Sequence, residues 1–319
     1  MGRVATVKIA VLAGGVGGSR FLSGLRDAAP DADITAIVNV GDDMWLSGVR
    51  IAPDLDTIMY KLAGVNDEER GWGRVGESER VSAELRAYGV GWPWFTLGDL
   101  DLGTHLARTH YLREGLPLSE ATKLITARWK LGVTLLPSTD EEVETWVKTA
   151  DGEMHFQEWW TRHRAGIPAQ AFINRGVEDS VPAPGVAAAI ADADVVLLAP
   201  SNPVVSIGAI LAIPGIREAL RSTDAPVVGV SPIIGGSVVR GMADACLTAI
   251  GVETSASAVA AHYGARSASG LLDGWLVDTV DDTEIAGITV VSVPLWMRGP
   301  ELSAQVASDA LALARSLRA

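Results

Sequence analysis

The sequence contains very little cysteine and no long apolar run. Cys246 is the single cysteine among 319 residues, so no disulfide can form within the chain, and such scarcity is typical of reducing compartments. The longest apolar runs, such as residues 195–200, are far too short to span a bilayer. Residues 1–7 lack the apolar stretch of a signal peptide. We therefore expect a cytoplasmic protein with no membrane partner.

Positive charge is also scarce. The sequence has 26 Lys and Arg against 39 Asp and Glu, which gives a formal net charge of -13. This balance argues against a nucleic-acid partner, because duplex binding depends on Lys and Arg that displace condensed counterions over a broad surface. A phosphate group must instead be bound locally, by backbone amides at a helix start, by a few arginines, or through a metal ion.

What the sequence does contain is an alternation of strand-like and helix-like segments. Residues 8–13 form an apolar run that precedes a glycine cluster, a helical pattern over 21–28 and a second strand-like run over 34–40. Similar apolar runs follow at residues 193–199, 225–230, 275–277 and 288–293. The order strand, turn, helix, strand is typical of parallel sheets. The sequence therefore predicts an α/β protein with a doubly wound, mostly parallel sheet, that is, a Rossmann-like three-layer fold.

The middle of the chain has a different character. Residues 77–89 and 105–129 are polar with apolar residues at three- and four-residue steps, which predicts helices. Residues 66–165 also hold seven of the ten tryptophans. These rings could fill a core or stack on a flat ring system. We predict a nucleotide-binding core formed by residues 1–65 and 166–319, and a mostly helical insertion over 66–165.

A glycine-rich loop follows the first predicted strand and opens the first helix. It contains Gly14, Gly15, Gly17 and Gly18, which let the backbone approach a ligand closely and point amide groups at an anion. The loop is not a Walker A motif, since no Gly-Lys-Ser/Thr follows. It is also an incomplete dinucleotide motif, because Arg20 stands where the third glycine is expected. The loop predicts a phosphate site, and the competing interpretation is a tight turn without a ligand.

Acidic residues cluster after the second strand. Asp42 and Asp43 end it, and Asp54 and Asp56 follow in the run PDLDT. Ligands of open parallel sheets collect beyond the carboxyl ends of the strands, so these carboxylates are expected near the glycine loop. Magnesium prefers such oxygen ligands and would bridge a diphosphate. The alternative is that these aspartates are helix caps and turn formers.

Two later turns repeat the strand-to-helix arrangement. Ser201, Asn202 and Ser206 offer short polar groups after the run 193–199, where a second phosphate or a ribose could bind. Residues 231–236 repeat the pattern after the next strand. A further segment, residues 94–105, places two acids and a histidine around a glycine turn, which is weak support for a site by itself.

Taken together, these segments resemble the 2-phospho-L-lactate transferase family, known as CofD and, in its actinobacterial branch, FbiA. The motifs GGVGG, GDD, PDLDT, LGD-x-D-x-x-TH, HFQEWW, APSNPVVSIG and SPIIGG occur in the family's order over essentially the whole chain. The resemblance implies that a ribityl hydroxyl of the deazaflavin Fo attacks a guanylyl-linked three-carbon acid and expels GMP. The product would be dehydro coenzyme F-420-0 from an enolpyruvyl donor, which the alignment favours, or F-420-0 from a lactyl donor.

The resemblance also implies roles for individual residues, together with magnesium as cofactor and a homodimer. The nucleotide would contact Gly14, Gly15, Gly17, Gly18, Ser201 and Asn202; the metal would be bound by Asp42 and Asp54; and the deazaflavin would contact Asp56, Thr96 and Asp99. An aspartate such as Asp56 could orient or deprotonate the attacking hydroxyl. We expect Asp56 to be an exposed cleft carboxylate whose replacement by alanine leaves the fold intact.

One position departs from the family pattern. Leu100 stands where many members have arginine, so any phosphate contact from that arginine is missing, and Arg20 or Arg162 would have to replace it. Two other hypotheses remain at this point. The first is a non-catalytic regulator of the YvcK type, which binds nucleotide sugars. The second is an NAD-dependent dehydrogenase, suggested by the glycine turn and the acid after the second strand.

Overall fold

The computed structural model describes residues 6–281 and 283–318. In chain order the strands are β1 (Lys8–Ala13), β2 (Asp33–Val38), β3 (Met44–Leu46), β4 (Val49–Ile51), β5 (Thr134–Pro137), β6 (Glu144–Thr149), β7 (Gly152–His155), β8 (Ala171–Arg175), β9 (Val195–Leu198), β10 (Val227–Val230), β11 (Ile233–Ile234), β12 (Ser237–Val238), β13 (Gly274–Val277) and β14 (Thr289–Ser292). The α-helices are α1 (Gly15–Ala28), α2 (Pro53–Ala63), α3 (Arg80–Ala87), α4 (Asp99–Arg113), α5 (Leu118–Thr126), α6 (Val186–Ala191), α7 (Ile207–Ala212), α8 (Ile216–Ser222), α9 (Ala243–Ala249), α10 (Ala256–Tyr263) and α11 (Pro300–Ser316).

Seven strands form the central sheet in the order β14-β13-β10-β9-β1-β2-β5, and every pairing in it is parallel. Its inner strands β9, β10 and β13 are buried along their whole length. Their sequences are continuous apolar runs because helices cover both faces of a parallel sheet. Burial of these runs in a single large core is the main stabilising contribution to the fold.

Helices α1 and α11 pack closely against each other on the sheet. A glycine allows this approach, since a Cβ atom at Gly24 would collide with the backbone at Ser303. Helix α2 packs on the other side of α1. This contact places the first turn of α2 beside the first turn of α1, so residues from both helix starts reach the same space.

The strand order reverses at β1, which pairs with β2 on one side and with β9 on the other. In open parallel sheets a ligand cleft lies beyond the carboxyl ends of the strands at such a reversal. The loops that follow β1, β2 and β9 therefore meet at one edge of the sheet. These are the segments that hold the glycine loop, the acidic residues and Ser201.

The prediction of an α/β fold with a parallel sheet is confirmed. Residues 8–13 form β1, and the runs at 34–40, 193–199, 225–230, 275–277 and 288–293 contain β2, β9, β10, β13 and β14. The helices expected within 77–89 and 105–129 correspond to α3 and to α4 followed by α5.

The region 66–165 is less helical than expected. It contributes β5 to the central sheet, where β5 pairs with β2, and it contains β6 and β7. Together with β8 these two strands form a separate antiparallel sheet. A short π-helix, Glu158–Arg162, follows β7. The division of the chain into a core and an insertion stays a prediction. No helix in the described residues has the length and apolarity that a membrane span requires.

Candidate functional site

A cavity of about 850 Å³ lies at the edge of the sheet where β1 and β9 end. It is lined by the glycine loop, by the first turn of α2, by the start of α4 and by the loops after β9 and β10. An aromatic wall completes it. This volume is large enough for more than one small-molecule substrate, since typical ligand pockets measure roughly 300–1,000 Å³.

The glycine loop forms one end of the cavity. Gly14, Gly15 and Gly17 line it, and Gly15 has a left-handed φ of 59°. Gly17 is required for packing, because a Cβ atom there would collide with the carbonyl oxygen of Pro200. Gly18 lies behind the cavity, where a Cβ atom would press on the hydroxyl of Ser201. The Gly15 amide donates to the Asp54 carboxylate, whereas the amides of Val16 and Gly17 have no acceptor within the helix, so these two can bind an anion.

Ser201 and Gly14 are joined by two hydrogen bonds. The amide of Gly14 donates to Ser201 Oγ at 3.0 Å, and the Ser201 hydroxyl donates to the carbonyl oxygen of Gly14 at 2.8 Å. Asn202 is similarly engaged, since its Oδ1 accepts from the amides of Val204 and Val205. Both side chains line the cavity, and both shape the loops around it. Their role in nucleotide binding stays a prediction.

Asp42 and Asp54 form a buried acidic pair beside the glycine loop. Asn39 Nδ2 donates to Asp42 Oδ1 at 3.2 Å and to Asp54 Oδ2 at 2.9 Å, so one amide bridges the two carboxyl groups. Burial raises the pKa of Asp54 to about 6, and the hydrogen bonds from Asn39 and the Gly15 amide limit that rise. Burial and the nearby Asp54 charge raise the pKa of Asp42 well above its usual range.

A second buried cluster lies further along the cavity. The guanidinium of Arg108 forms an ion pair with Asp56, and His105 Nδ1 lies 3.4 Å from Asp56 Oδ2. On its other side His105 Nε2 lies 3.3 Å from Asp101 Oδ2, and the Tyr60 hydroxyl donates to Asp101 Oδ1 at 2.7 Å. Asp56 Oδ2 is a buried oxygen with no hydrogen-bond donor among the described residues. A substrate hydroxyl would satisfy this acceptor.

In this second cluster, neighbouring charges and hydrogen bonds offset the effect of burial on the pKa values of the acidic and basic groups. Burial alone would raise the pKa of Asp101, but His105 and the Tyr60 hydroxyl outweigh burial and lower it. Burial likewise opposes the charge on Arg108, and the neighbouring Asp56 overcomes this effect and raises the Arg108 pKa. Burial, and then the charge on Asp56, raises the pKa of Tyr60, which therefore stays a neutral hydrogen-bond donor.

The two clusters differ in how well they fit a divalent cation. Asp56, Asp101 and His105 could each offer one ligand atom, and these atoms lie within 4.8 Å of one another. The Arg108 guanidinium already occupies one side of that cluster, however, and an imidazole is a poor ligand for Mg²⁺. Asp42 and Asp54 have only the neutral Asn39 between them. Their oxygen ligands and their mutual repulsion fit a hard cation better.

Aromatic side chains form much of the cavity wall. Trp72, Trp94, Phe95, Phe156, Trp160 and Trp296 line the cavity. Trp94 stacks on Trp92 with ring centroids 4.6 Å apart, and Phe156 stacks on Trp160 at 6.4 Å. Stacked, partly exposed rings of this kind offer a flat surface to a planar ligand.

Of the three residues expected to contact the deazaflavin, two line the cavity and one does not. Asp56 and Thr96 line it. Asp99 does not, because its carboxylate accepts from the Ser78 hydroxyl at 2.6 Å and from the Val81 amide at 3.2 Å, which fixes the start of α3. Asp101, two residues further, takes the position in the cavity.

Sequence reasoning missed most of the second cluster. Asp101 and His105 were noted only as part of a weak segment, and Arg108 and Tyr60 were not considered. The i, i+4 spacing of Asp101 and His105 places both on one face of α4, and this signal could have identified them. The expectation that Asp56 is exposed is wrong, since it is 3% exposed and paired with a buried arginine.

Behind the cavity lies a further buried acid. Asp43 is fully buried, and burial raises its pKa to about 8 although Arg50, with Nη2 3.9 Å from Asp43 Oδ2, lowers it. Burial also lowers the pKa of His155 to about 4. Neither residue lines the cavity. Burial therefore favours the neutral form of both groups.

Known proteins resemble this chain along almost all of its length. The family model described as 2-phospho-L-lactate transferase CofD matches residues 9–293. A phosphoenolpyruvate transferase of Nocardia farcinica is 56% identical over 314 residues, covering 96% of this chain and 95% of the relative. One from Streptomyces coelicolor is 56% identical over 321 residues, with 98% and 99% covered. A solved structure of a UPF0052-family protein from Bacillus halodurans has a TM-score of 0.64 at 19% identity, covering 97% of this chain and 100% of that one, and shows the fold alone.

Proposed function

Because this chain belongs to the 2-phospho-L-lactate transferase CofD family, we propose that it joins a three-carbon acid phosphate to the deazaflavin Fo. The chain is a transferase, as its relatives are, and their names favour phosphoenolpyruvate as the transferred group, with 2-phospho-L-lactate as the other candidate. The donor would be a guanylyl-linked acid, enolpyruvoyl- or lactyl-diphosphoguanosine. The products would be GMP and dehydro coenzyme F-420-0, or F-420-0 from the lactyl donor.

The observation that carries this proposal is the shared cavity. The anion-binding start of α1, the acidic pair Asp42 and Asp54, and the orphaned oxygen of Asp56 all belong to one space. Transfer of a phosphoryl group needs a diphosphate held at one end, a hydroxyl held at the other, and charge neutralisation between them. The aromatic wall supplies a surface for the planar deazaflavin.

The donor would lie with its diphosphate at the first turn of α1 and its nucleoside toward the loops that contain Ser201 and Asn202. Asp42 and Asp54 would hold magnesium, which when bound would neutralise charge on the diphosphate. The two carboxyl groups must be ionised to serve as ligands. Their raised pKa values therefore predict weaker metal binding at acid pH.

Fo would bind against the aromatic wall, with Thr96 beside it and its terminal ribityl hydroxyl directed at Asp56. The hydroxyl oxygen forms a bond to the phosphorus of the acid phosphate, the bond from that phosphorus to the GMP oxygen breaks, and the hydroxyl proton passes to Asp56. Arg108 holds the Asp56 carboxylate in one orientation, and His105 accepts a hydrogen bond from Arg108. Asp99 has no part in this arrangement, because its carboxylate caps α3 instead.

The regulator hypothesis and the dehydrogenase hypothesis are both disfavoured. The curated relatives at 53–56% identity that cover 95–100% of their own lengths are named as transferases. An NAD-dependent dehydrogenase is a different class of enzyme from a transferase of this family. The homodimer expected from the resemblance stays a prediction.

The proposal is tested by incubating the purified protein with Fo, Mg²⁺ and each guanylyl donor. We expect GMP and a deazaflavin phosphodiester to appear in equal amounts. Mass spectrometry of the product identifies the acid, since the lactyl and enolpyruvyl forms differ by two hydrogens. Unchanged Fo with no GMP from either donor would contradict the proposal.

A further inference from the structure

A small recess with an excess of positive charge opens from the cavity beside the glycine loop. It holds about 20 Å³ and is lined by Arg20, Lys61, Glu68 and Arg240, with Trp72 at its rim. We call the space lined by these residues the basic recess. A single water-sized group needs about 10–15 Å³, so the recess accepts a carboxylate but not a ring. Arg20, Trp72 and Arg240 line the large cavity as well, so the two spaces are continuous.

Arg20 is the central cation of the recess. It lies on α1, one turn beyond Gly17, and is half-buried. Within residues 6–281 and 283–318, its guanidinium has no hydrogen bond and no carboxylate within 4.0 Å. Arg162, the other candidate from the sequence, is bound to Glu158 at 2.6 Å and lies outside the cavity. The structure therefore favours Arg20 as the arginine that meets an anionic substrate.

The remaining charges of the recess add up to a net positive site. Lys61 forms an ion pair with Glu68, and hydrogen bonding and charge from Lys61, followed by the charge of Arg20, lower the Glu68 pKa. Three cations and one carboxylate leave a formal charge of 3 - 1 = +2. In a chain whose net charge is -13, this is a local exception that suits an anion.

Arg240 closes the recess from the opposite side. It follows the β11–β12 hairpin, and its guanidinium packs against the backbone of Gly71. A Cβ atom at Gly71 would collide with that guanidinium, and Gly71 has a left-handed φ of 78°, so glycine is needed for both reasons. The loop that contains Gly71 thus holds Arg240 over the recess.

We propose that the basic recess binds the carboxylate of the transferred three-carbon acid. This inference rests on the proposed function and names the part of the site that distinguishes the acid from a simple phosphate. In the donor the carboxylate carbon is bonded to the carbon that carries the bridging phosphate oxygen, so it lies only a few bonds from the phosphorus. Thr57 lines both spaces and directly follows Asp56. The recess and the Asp56 cluster therefore open into the same cavity.

The same arrangement accounts for the substitution at Leu100. This side chain is 43% exposed and does not line the cavity. An arginine there is not needed in this chain if Arg20, Lys61 and Arg240 supply the cations. Arg20 and Arg240 suit a carboxylate better than Lys61, because a guanidinium can hold a carboxylate through two parallel hydrogen bonds.

The test separates recognition of the carboxylate from recognition of the phosphate. The full-length protein is saturated with GMP and Mg²⁺, and phosphoenolpyruvate or methyl phosphate is then titrated by calorimetry. The two probes share a phosphate and differ in the carboxylate. We expect wild-type protein to bind phosphoenolpyruvate more tightly, and Arg20→Gln to weaken that binding about ten- to a hundredfold, as for a lost charged hydrogen bond. Binding of methyl phosphate and of GMP should change little.

Two further variants sharpen the result. Arg162→Gln is the matched control, because it removes an exposed arginine outside the cavity and should leave every affinity unchanged. Glu68→Gln removes the acid of the recess and should strengthen phosphoenolpyruvate binding by about two- to fivefold, as expected for a partly exposed charge. A weaker affinity in Glu68→Gln would count against the assignment.

The outcomes distinguish this inference from the proposed function. If Arg20→Gln weakens both phosphates equally, Arg20 contacts the phosphoryl group and the inference is overturned. If Arg20→Gln changes the affinity for neither phosphoenolpyruvate nor methyl phosphate, the recess has no part in binding and the inference is again overturned. The proposed function is still supported in that case if the protein binds GMP and turns over its substrates. If wild-type protein binds no GMP, the proposed function and the inference fail together.

Discussion

The Nδ1 atom of His105 lies 3.4 Å from Oδ2 of Asp56, and both side chains are almost fully buried. Arg108 holds the other oxygen of the same carboxylate and also donates from Nη1 to His105 Nδ1 at 3.2 Å, so His105 supports Asp56 through Arg108. His105 is held in turn by Asp101, which accepts from Tyr60. This chain of contacts makes His105 a positioning residue for Asp56. It does not need to touch the substrate to affect the reaction.

Replacing His105 with glutamine should lower kcat about ten- to a hundredfold, because a misplaced carboxylate accepts the hydroxyl proton poorly. The KM values for both substrates should change little. Steady-state kinetics with each substrate varied in turn provide the measurement.

The matched control is His110→Gln, an exposed histidine on the same helix. It should have wild-type kinetics. A His105→Gln enzyme with a wild-type kcat would show that His105 is only a packing residue.

Replacing Asp56 with alanine should destabilise the protein and abolish turnover. Arg108 has a side-chain exposure of only 2%, and removal of its carboxylate would leave a buried charge unpaired. Such losses cost about 3–5 kcal/mol. Asp56→Asn retains the volume and one acceptor, so it should lose less stability while remaining nearly inactive. Urea unfolding measures the first effect, and GMP release the second. Near-normal turnover of the Asn variant would exclude Asp56 as the proton acceptor.

Replacing Asp54 with asparagine should stabilise the metal-free protein while it abolishes metal binding. The folded-state pKa of Asp54 is raised to about 6, and the unfolded value is about 4. Ionisation of this buried group therefore opposes folding above pH 6 by roughly 1–3 kcal/mol, and the asparagine variant has no such penalty. Thermal unfolding at neutral pH should show a higher Tm. The control is Asp151→Asn, an exposed aspartate outside the cavity, which should bind Mg²⁺ as wild-type does.

The same pKa shift predicts how Mg²⁺ and pH act together. A raised acid pKa means that the folded state binds more protons than the unfolded state between about pH 4 and pH 6, so metal-free stability falls as pH rises through that window. A bound cation reverses the trend, because it requires ionised ligands. The increase in Tm caused by Mg²⁺ should be large at alkaline pH and small at acid pH. An increase independent of pH would contradict the assignment of Asp42 and Asp54.

Replacing Trp94 with leucine should weaken Fo binding about tenfold, since its ring forms part of the cavity wall and stacking on an aromatic ring contributes about 1–3 kcal/mol. GMP affinity should stay unchanged. Trp45→Phe, an exposed ring outside the cavity, is the control. Quenching of tryptophan fluorescence by Fo measures the Fo affinity of the wild-type protein and of both variants. Equal Fo affinity in Trp94→Leu and wild-type would remove Trp94 from the binding surface.

The sequence predicted the sheet well because parallel strands are buried on both faces. Their continuous apolar runs stand out from the rest of the chain, as in 195–198. Strand β5, with the sequence TLLP, is only four residues long and lies within a region of helical character. It pairs with β2 through long-range packing, which no local pattern reveals.

Gly15, Asp42 and Asp54, which the sequence analysis expected close together, all line the cavity, because loops after adjacent parallel strands must meet at one edge. Asp99 and Asp101 could not be distinguished in this way, since both start the same helix and only the packing of α3 decides which one faces the cavity. Arg108 was missed because a buried arginine is recognised only through its partner.

The most direct test of the account is a crystal of the protein grown with GDP and Mn²⁺, in which anomalous scattering locates the ion. We expect one anomalous peak about 2.0–2.6 Å from oxygens of Asp42 and Asp54, with the diphosphate at the first turn of α1. An ion bound instead by Asp56, Asp101 and His105, or GDP bound away from Gly15, would contradict it.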